Sequence, residues 1–281
     1  GPRINAAGRM KTGKIIVDLL VEEDITQANI ISNEVEFLNQ NRRRIEKNVV
    51  DEALKRIDNE RFTNVVYGEG WNQGVLGIVA SRIIEKSYKP TIVMTESNED
   101  VLTGSVRSVK DYDVYQSLSD CKDNIIQYGG HKYAAGLKIK KSKFDIFKNQ
   151  FENIVKDSVG QTMFKRSFSY DLLIDFSKLT IENIKIIRRM SPFGLGNRRP
   201  VFRTNNCFIG SKLKFLGKDD QIVKSKIKDK NGSQLPFICF DKKIELVDLQ
   251  SSFDVLYNVN LNSFSGQEII ELTLREVFIK K

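Results

Sequence analysis

Apolar residues recur at Ala28, Ile31, Val35, Leu38, Ile45, Val49 and Ala53, mostly three, four or seven apart, which marks one face of a helix. Asp24-Ile25-Thr26-Gln27 supplies an N-cap with a capping-box partner at the third helical position, and polar, helix-favouring sequence runs on to about Arg61. A helix of roughly 35 residues would span on the order of 50 Å, enough to bridge two domains. The alternative is two shorter helices broken near Asn39-Gln40-Asn41.

From Asn64 the pattern changes to short strands alternating with helices. Val65 to Tyr67, Thr91 to Met94, Leu102 to Val109 and Gly136 to Ile139 read as extended. Gly74 to Lys86, Val114 to Tyr128 and Phe144 to Val155 read as helical. Residues 62–160 are therefore expected to form a mixed α/β domain. Beyond them the texture is all-β: Ser167 to Ile174, Cys207 to Phe215, Gln221 to Lys228, Leu235 to Phe240, Phe253 to Asn260 and Glu268 to Phe278, with one helix at Thr180 to Met190. In the last strand Ile270, Leu272 and Leu274 alternate with Glu271, Thr273 and Arg275, so one face is buried and the other wet. Five or six such strands in residues 161–281 suit a small barrel, and an OB-fold is the natural candidate. The fold class expected is thus α/β plus all-β, with residues 21–61 as a connector helix and residues 1–20 as the remnant of a further domain.

Charge sharpens this division. Residues 1–60 carry 10 basic and 11 acidic groups, residues 61–160 carry 14 and 12, and residues 161–281 carry 21 and 13. Nearly all of the +9 net charge lies in the last third, as expected for a segment that tracks a phosphate backbone. A lysine-rich solvated surface is the other reading. Cys121, Cys207 and Cys239 are far apart and form no Cys-x-x-Cys pair, so reduced core thiols are expected rather than zinc or disulfides. No stretch approaches the roughly 18 apolar residues of a membrane span, and no secretory leader is legible, which points to a cytoplasmic protein without a membrane partner.

Three constellations could carry chemistry. Gly129-Gly130-His131 holds the only histidine of the chain, expected in a loop after the helix ending at Tyr128. Glycines allow close approach to an anion, and an imidazole can donate a hydrogen bond to phosphate. In Gly104-Ser105-Val106-Arg107-Ser108, the period of two puts Ser105 and Arg107 on one face, where a hydroxyl and a guanidinium make a phosphate clamp. In the opening run, Arg3, Asn5 and Arg9 are interleaved with Ala6, Ala7 and Gly8, and arginines there can meet phosphate. Taken singly, each also fits an ordinary surface turn, edge strand or terminal peptide.

These residues carry a family resemblance. Gly1 to Arg9 resembles the late motif of the RecJ phosphoesterase (DHH) domain, and Trp71-Asn72-Gln73-Gly74-Val75-Leu76-Gly77 resembles the first strand-to-helix passage of the DHH-associated domain. The serine-arginine and Gly-Gly-His segments follow in that domain's order. Ser191-Pro192-Phe193-Gly194-Leu195-Gly196-Asn197 with Pro200-Val201-Phe202 resembles the entry to the RecJ OB-fold. Val106 departs from the family pattern, where glycine is frequent.

The resemblance implies the carboxy-terminal part of a 5′-to-3′ single-stranded-DNA exonuclease of DNA repair and recombination. Its Mn2+ or Mg2+ would be held by aspartates and histidines lying before Gly1, so the fragment itself is expected to hold no metal and to lack hydrolytic activity. By the same carry-over, His131 is the catalytic residue at the scissile or adjacent phosphate, and Gly129 and Gly130 keep its segment close. Ser105, Arg107 and Ser108 bind the terminal 5′-phosphate, and Arg3, Asn5 and Arg9 line the path of the strand. In the barrel, Arg198, Arg199, Arg203, Lys212 and Lys214 are the basic candidates for single-strand binding, with Phe215 and Phe240 for stacking. Single-stranded DNA is the implied partner, with a single-strand-binding protein and a helicase behind it. Two alternatives stay open: a phosphodiesterase of oligonucleotides or cyclic dinucleotides from the same superfamily, and a non-catalytic single-strand-binding module.

Overall fold

A computed structural model describes residues 1–159, 164–217, 222–240, 244, 251–264 and 266–279. They form two compact units, Gly1–Arg166 and Ser167–Lys281. The boundary expected between residues 160 and 161 lies outside the described residues.

The first unit opens with three helices, α1 (Pro2–Met10), α2 (Lys14–Val21) and α3 (Ile25–Lys55). Ala7, Ile15, Ile16 and Val35 bind them into a small apolar cluster. Asp24 caps α3 by accepting from the backbone N–H of Thr26 at 2.7 Å and of Gln27 at 3.0 Å. Gln27 does not close the box, because Glu22 accepts the Asp24 N–H at 3.0 Å instead. The helix runs unbroken through Asn39 to Asn41, since Val35 and Asn39 are both buried on its packed side. Its 31 residues correspond to about 46 Å. It stops at Lys55 rather than Arg61 because the Arg56 guanidinium turns to the carbonyl of Tyr67 and covers the Trp71 ring, 5.1 Å from its centroid.

Five strands follow: β1 (Asn64–Tyr67), β2 (Thr91–Asn98), β3 (Val101–Arg107), β4 (Gln127–His131) and β5 (Ala134–Lys140). The sheet order is β1-β2-β3-β5-β4, with only β1 and β2 parallel. One face presents Ile92, Met94, Leu102, Val106, Leu137 and Ile139 to Leu118 of α5 (Val114–Asp120) and to Phe147, Phe151 and Val155 of α6 (Phe144–Val159). On the other face Val66 and Val93 pack under Leu76, Val79, Ala80 and Ile83 of α4 (Leu76–Lys86). That helix packs on β2 and β3. On the same face of β5 and β4, Gly136, Lys138, Gln127, Gly129 and His131 are exposed.

Two expectations fail here. The helix predicted for Val114 to Tyr128 ends at Asp120, and a 3-10 turn at Lys122–Asn124 leads straight into β4. The Gly-Gly-His segment is accordingly a strand and not a loop. Pairing decides both, because the Ile126 N–H already donates to Lys138 at 2.8 Å and β4 zips onto β5 from there.

In the second unit β7 (Phe202–Ile209), β9 (Ile222–Lys228), β10 (Gln234–Cys239), β11 (Phe253–Phe264) and β12 (Gln267–Ile279) close a ring. The pairings are β7 with β9, β9 with β10, β10 with β12, β12 with β11 and β11 with β7, and only β10 and β12 are parallel. That connectivity is the five-stranded OB barrel expected from the sequence. β6 (Leu172–Leu173) lies beside β7, β8 (Lys214–Leu216) lies beside β9, and α7 (Ile181–Arg189) precedes the barrel. The strand expected over Ser167 to Ile174 shrinks to β6, where Leu172 and Leu173 pair with Phe202 and Arg203 of β7. The strand expected over Cys207 to Phe215 starts instead at Phe202 and breaks at Gly210, so Lys214 to Leu216 form β8. Residue 221 of the next expected strand lies outside the described residues.

The barrel interior is filled by side chains such as Val223, Phe237, Phe253, Tyr257 and Leu272. The Tyr257 hydroxyl shares a hydrogen bond with Thr204 at 2.8 Å, and burial raises its pKa. Cys121, Cys207 and Cys239 are buried and stand outside any disulfide; burial pushes Cys121 up to about 12. Phe237 is 1% exposed, so Phe237→Ala should cost about 3–5 kcal/mol, read as a lower denaturant midpoint for the second unit.

Candidate phosphate-binding site

The antiparallel register of β3, β5 and β4 lines up three rows of residues on the face that α4 leaves open. Arg107 lies opposite Ala134, which lies opposite His131; Ser105 lies opposite Gly136 and then Gly129; Thr103 lies opposite Lys138 and then Gln127. Directly opposed residues point to the same face, so the arginine, the serine and the histidine share one surface. Two inter-strand spacings separate Arg107 from His131, about 10 Å between backbones. Residues 26 and 24 positions apart in sequence are thus neighbours on one platform.

Arg107 is the centre of the cationic corner. Its Nη1 donates to Ser105 Oγ at 3.0 Å and to the Val106 carbonyl at 2.7 Å, which fixes the guanidinium beside the hydroxyl. Arg9 faces the same cleft, anchored by Nη1 to the Gly74 carbonyl at 3.1 Å. Burial, and then the positive charge of Arg9, lower the Arg107 pKa. No carboxylate is among the residues lining this cleft of about 350 Å³. Two guanidiniums without an acid between them repel each other, and a bound dianion would relieve that repulsion.

The sequence enforces the geometry at two glycines. A Cβ on Gly74 would meet the Arg9 carbonyl oxygen at 2.2 Å, so glycine lets the end of α1 reach the start of α4. A Cβ on Gly77 would come within 2.7 Å of Arg107 Nη2 and 3.1 Å of Ser105 Oγ, so glycine lets α4 lie over the clamp. Leu76 and Gly77, the first residues of α4, border the cleft, adding the partial positive charge of a helix start.

His131 is exposed at the end of β4. The Tyr133 N–H donates to its Nδ1 at 3.3 Å, an arrangement that assigns the proton of the neutral ring to Nε2, which remains available to donate. Gly130 does not face the platform. Its φ of 147° and the contact a Cβ would make with the Ala134 carbonyl oxygen, 2.3 Å, make it a backbone requirement of the hairpin. Ser108 also stays outside, because its hydroxyl donates to the Tyr112 carbonyl at 2.7 Å and its N–H to Tyr133. Arg3 is paired with Glu36, and Asn5 lies on the far side of Arg9 in a separate cleft of about 270 Å³. Of the opening run, only Arg9 joins the clamp.

In the barrel unit, Arg198, Lys212 and Lys214 are exposed. Phe215 and Phe240 are exposed as well. Arg199 donates to Asn260 Oδ1 at 2.9 Å and covers the Phe193 ring. Arg203 has a structural position: it bonds Asp254 Oδ2 at 2.8 Å and Asn205 Oδ1 at 2.7 Å, under Tyr170 and Phe278. Among the described residues no three His, Cys, Asp or Glu side chains gather where a metal ion could be held. These residues do not fit a metal, and the chemistry open to them is binding and orientation of an anion. No helix is long and apolar enough to cross a membrane among the described residues.

Sequence profiles of two domain families match the chain, the DHHA1 domain over residues 59–157 and the RecJ OB domain over residues 170–276. The chain belongs to the RecJ family. It is 28% identical to the single-stranded-DNA-specific exonuclease RecJ of Bacillus subtilis across all of this chain and 36% of that protein. With the Escherichia coli protein of the same name it shares 31% over 72% of this chain and 37% of the relative. The crystal structure of RecJ from Thermus thermophilus in complex with Mn2+ superposes with a TM-score of 0.83 at 23% identity, covering 100% of this chain and 40% of that one. The chain spans 29% to 50% of the length of the curated relatives it matches. Ser105, Arg107 and His131 all fall inside the DHHA1 match, and all the barrel candidates fall inside the RecJ OB match.

Sequence reasoning on this RecJ-family chain missed the contributions of Gly77 and Thr103, although the two glycines at the start of α4 were a readable sign of close approach. Gly77→Ala should displace Arg107 and weaken binding of pyrophosphate by roughly tenfold, the loss of one charge-assisted hydrogen bond, while α4 keeps its stability; isothermal titration with a parallel melting curve checks both.

Proposed function

We propose that this chain is the strand-holding part of a 5′-to-3′ single-stranded-DNA exonuclease acting in DNA repair and recombination. The observation that carries the reading is the row of Arg107, Ala134 and His131 beside Ser105 and Arg9: a cationic corner and an imidazole about 10 Å apart on one rigid sheet face. That separation lets one strand place its terminal phosphate at the arginines and a following phosphate at the histidine.

In this reading Arg107, Arg9 and Ser105 hold the terminal 5′-phosphate, and His131 donates from Nε2 to a non-bridging oxygen of the scissile phosphate, where charge grows during attack. Fixed donors on strands need no rearrangement as that charge develops, the condition under which hydrogen bonds favour a transition state most. Binding the terminal phosphate holds the scissile group in register and lowers the entropy cost of attack. Mn2+ or Mg2+ would supply the activation of water in the exonuclease reaction, and the residues of this platform would position the strand for it rather than hold the ion. The exposed Arg198, Lys212 and Lys214, with Phe215 and Phe240, draw single strand to the barrel through charge and stacking. A single-strand-binding protein and a helicase as partners, and a cytoplasmic location, complete the proposal.

Two measurements test it. The chain should bind a 5′-phosphorylated oligonucleotide of a dozen or more bases more tightly than its 5′-hydroxyl counterpart, and Arg107→Ala should remove most of that preference, roughly a tenfold change in fluorescence anisotropy titrations. An unchanged preference would take Arg107 out of its role. Affinity for such strands should also exceed that for dinucleotides, with a slope of log K against log salt of about −3 if four phosphates are neutralised. Equal affinity at both lengths would favour the small-substrate phosphodiesterase.

A further inference from the structure

The second unit carries a surface that the phosphate reading does not use. An apolar cleft of about 220 Å³ lies between α7 and β6. Leu179, Ile184 and Phe202 line it and are buried, whereas Leu172 and Ile186, which line it too, are 51% and 60% exposed. Met190, also exposed, continues the stripe of Ile186 one turn further along the chain. Lys178 and Asn183 are the polar residues of the lining, and the Asn183 amide is engaged by the Lys178 carbonyl at 2.9 Å.

Cations flank the cleft. Lys178 precedes α7, and Arg188 and Arg189 stand in its last turn, so the positive charge lies at both ends of the helix. All three side chains are exposed, and none of them has an ion-pair partner among the described residues. Lys185 differs, because Glu268 of β12 holds it at 2.6 Å. Basic groups in a last turn suit the negative end of the helix dipole, but Lys178 stands ahead of the Thr180 cap, where the dipole repels a cation. The acid of α7 is Glu182 in its first turn, one against the three free cations.

Exposed aliphatic side chains around an apolar cleft with a charged rim mark a place where another molecule binds. The chemistry narrows the occupant. A second copy docking through the same unit would bring like charge, since residues 161–281 carry 21 basic and 13 acidic groups. A nucleic acid would suit the cations but not the lining, which offers base edges little beyond the Lys178 ammonium. An added strand has little to pair with, because β6 is two residues long. Ile186 and Met190, one turn apart, instead form the kind of ridge against which a second helix packs.

We infer that the cleft between α7 and β6 docks an acidic amphipathic helix of a partner protein. Its apolar ridge fills the space between Leu172 and Ile186, and its carboxylates meet Lys178 at one end of α7 and Arg188 and Arg189 at the other. This surface stands independently of the phosphate clamp.

The test uses the 281-residue chain and a labelled helical peptide of about 14 residues, with leucines at i, i+3, i+4 and i+7 and glutamates on the flanks. Anisotropy titrations should show binding that weakens roughly tenfold when lysines replace the glutamates. Ile186→Gln and Leu172→Gln should each weaken the acidic peptide roughly fivefold or more with unchanged melting temperatures, because both side chains are half-exposed. Arg188→Gln combined with Arg189→Gln should weaken it several-fold and flatten its salt dependence. Full binding by the Ile186→Gln and Leu172→Gln variants would seat the peptide elsewhere and overturn the inference. An oligothymidylate that displaces the peptide and loses affinity equally in those two variants would make the cleft a nucleic-acid surface, and self-association of the chain that Ile186→Gln abolishes would make it a contact between copies; either result overturns the inference.

Discussion

A sheet face only partly covered by its helix is the constraint on which the rest of the first unit depends. α4 packs Leu76, Val79, Ala80 and Ile83 on β2 and β3, while β5 and β4 lie beyond it. On the opposite face α5 and α6 bury β5 as fully as β3, so the hairpin is held rigidly from below. The uncovered half therefore needs no mobile loop to present chemistry. Its side chains stand on paired backbone, and the distance between the guanidinium corner and the imidazole is set by strand spacing. Rigid placement of this kind favours recognition by position, in which a ligand with charges at the right separation binds without reorganising the protein.

The electrostatics of the corner follow from the same partial cover. Arg107 is half-buried under the start of α4, and its neighbour Arg9 repels it. Other arginines have acids beside them: Arg203 has Asp254, and Glu46 serves both Arg42 and Arg82. At the clamp the hydrogen-bond partners of the guanidiniums are a hydroxyl and two carbonyls, which leave donors free and the charge uncompensated. A structural arginine is ordinarily neutralised within the fold; a pair left cationic in a cleft is what the proposed phosphate contact would draw on.

Most of the fold was legible in the sequence wherever side-chain periodicity was strong. The face of α3, the alternation of β12 and the all-β character of the last third all appear as expected. What failed were places where pairing overrides local preference. Val114 to Tyr128 reads as one helix, yet the hairpin partner β5 takes over its second half; Ser167 to Ile174 reads as a strand, yet the ladder with β7 is confined to its last residues. The site followed the same rule. Ser105 and Arg107 were readable as one face because two residues on one strand are related by a local period. That His131 joins them depends on the register of β3 with β5 and of β5 with β4, two non-local facts that no window of sequence contains. Arg9, more remote still, joins only because Gly74 lets the backbones touch. Arg3, Ser108 and Arg203 have the right chemistry but are already paired within the fold, and composition does not distinguish a paired arginine from a free one.

Val106 shows why a departure from a family pattern has to be judged by the face it occupies. The resemblance places glycine frequently at this position, between the serine and the arginine, and a bulky residue there could be expected to disturb the clamp. In the structure the side chain of Val106 points away from it, fully buried among Ile92, Leu137 and the helices beneath. Only its backbone faces the site, where the Val106 carbonyl accepts from Arg107 Nη1. Any residue supplies that carbonyl. Valine adds buried apolar area under β3 and restricts the backbone to extended geometry, so in this chain the substitution stiffens the strand that carries the clamp.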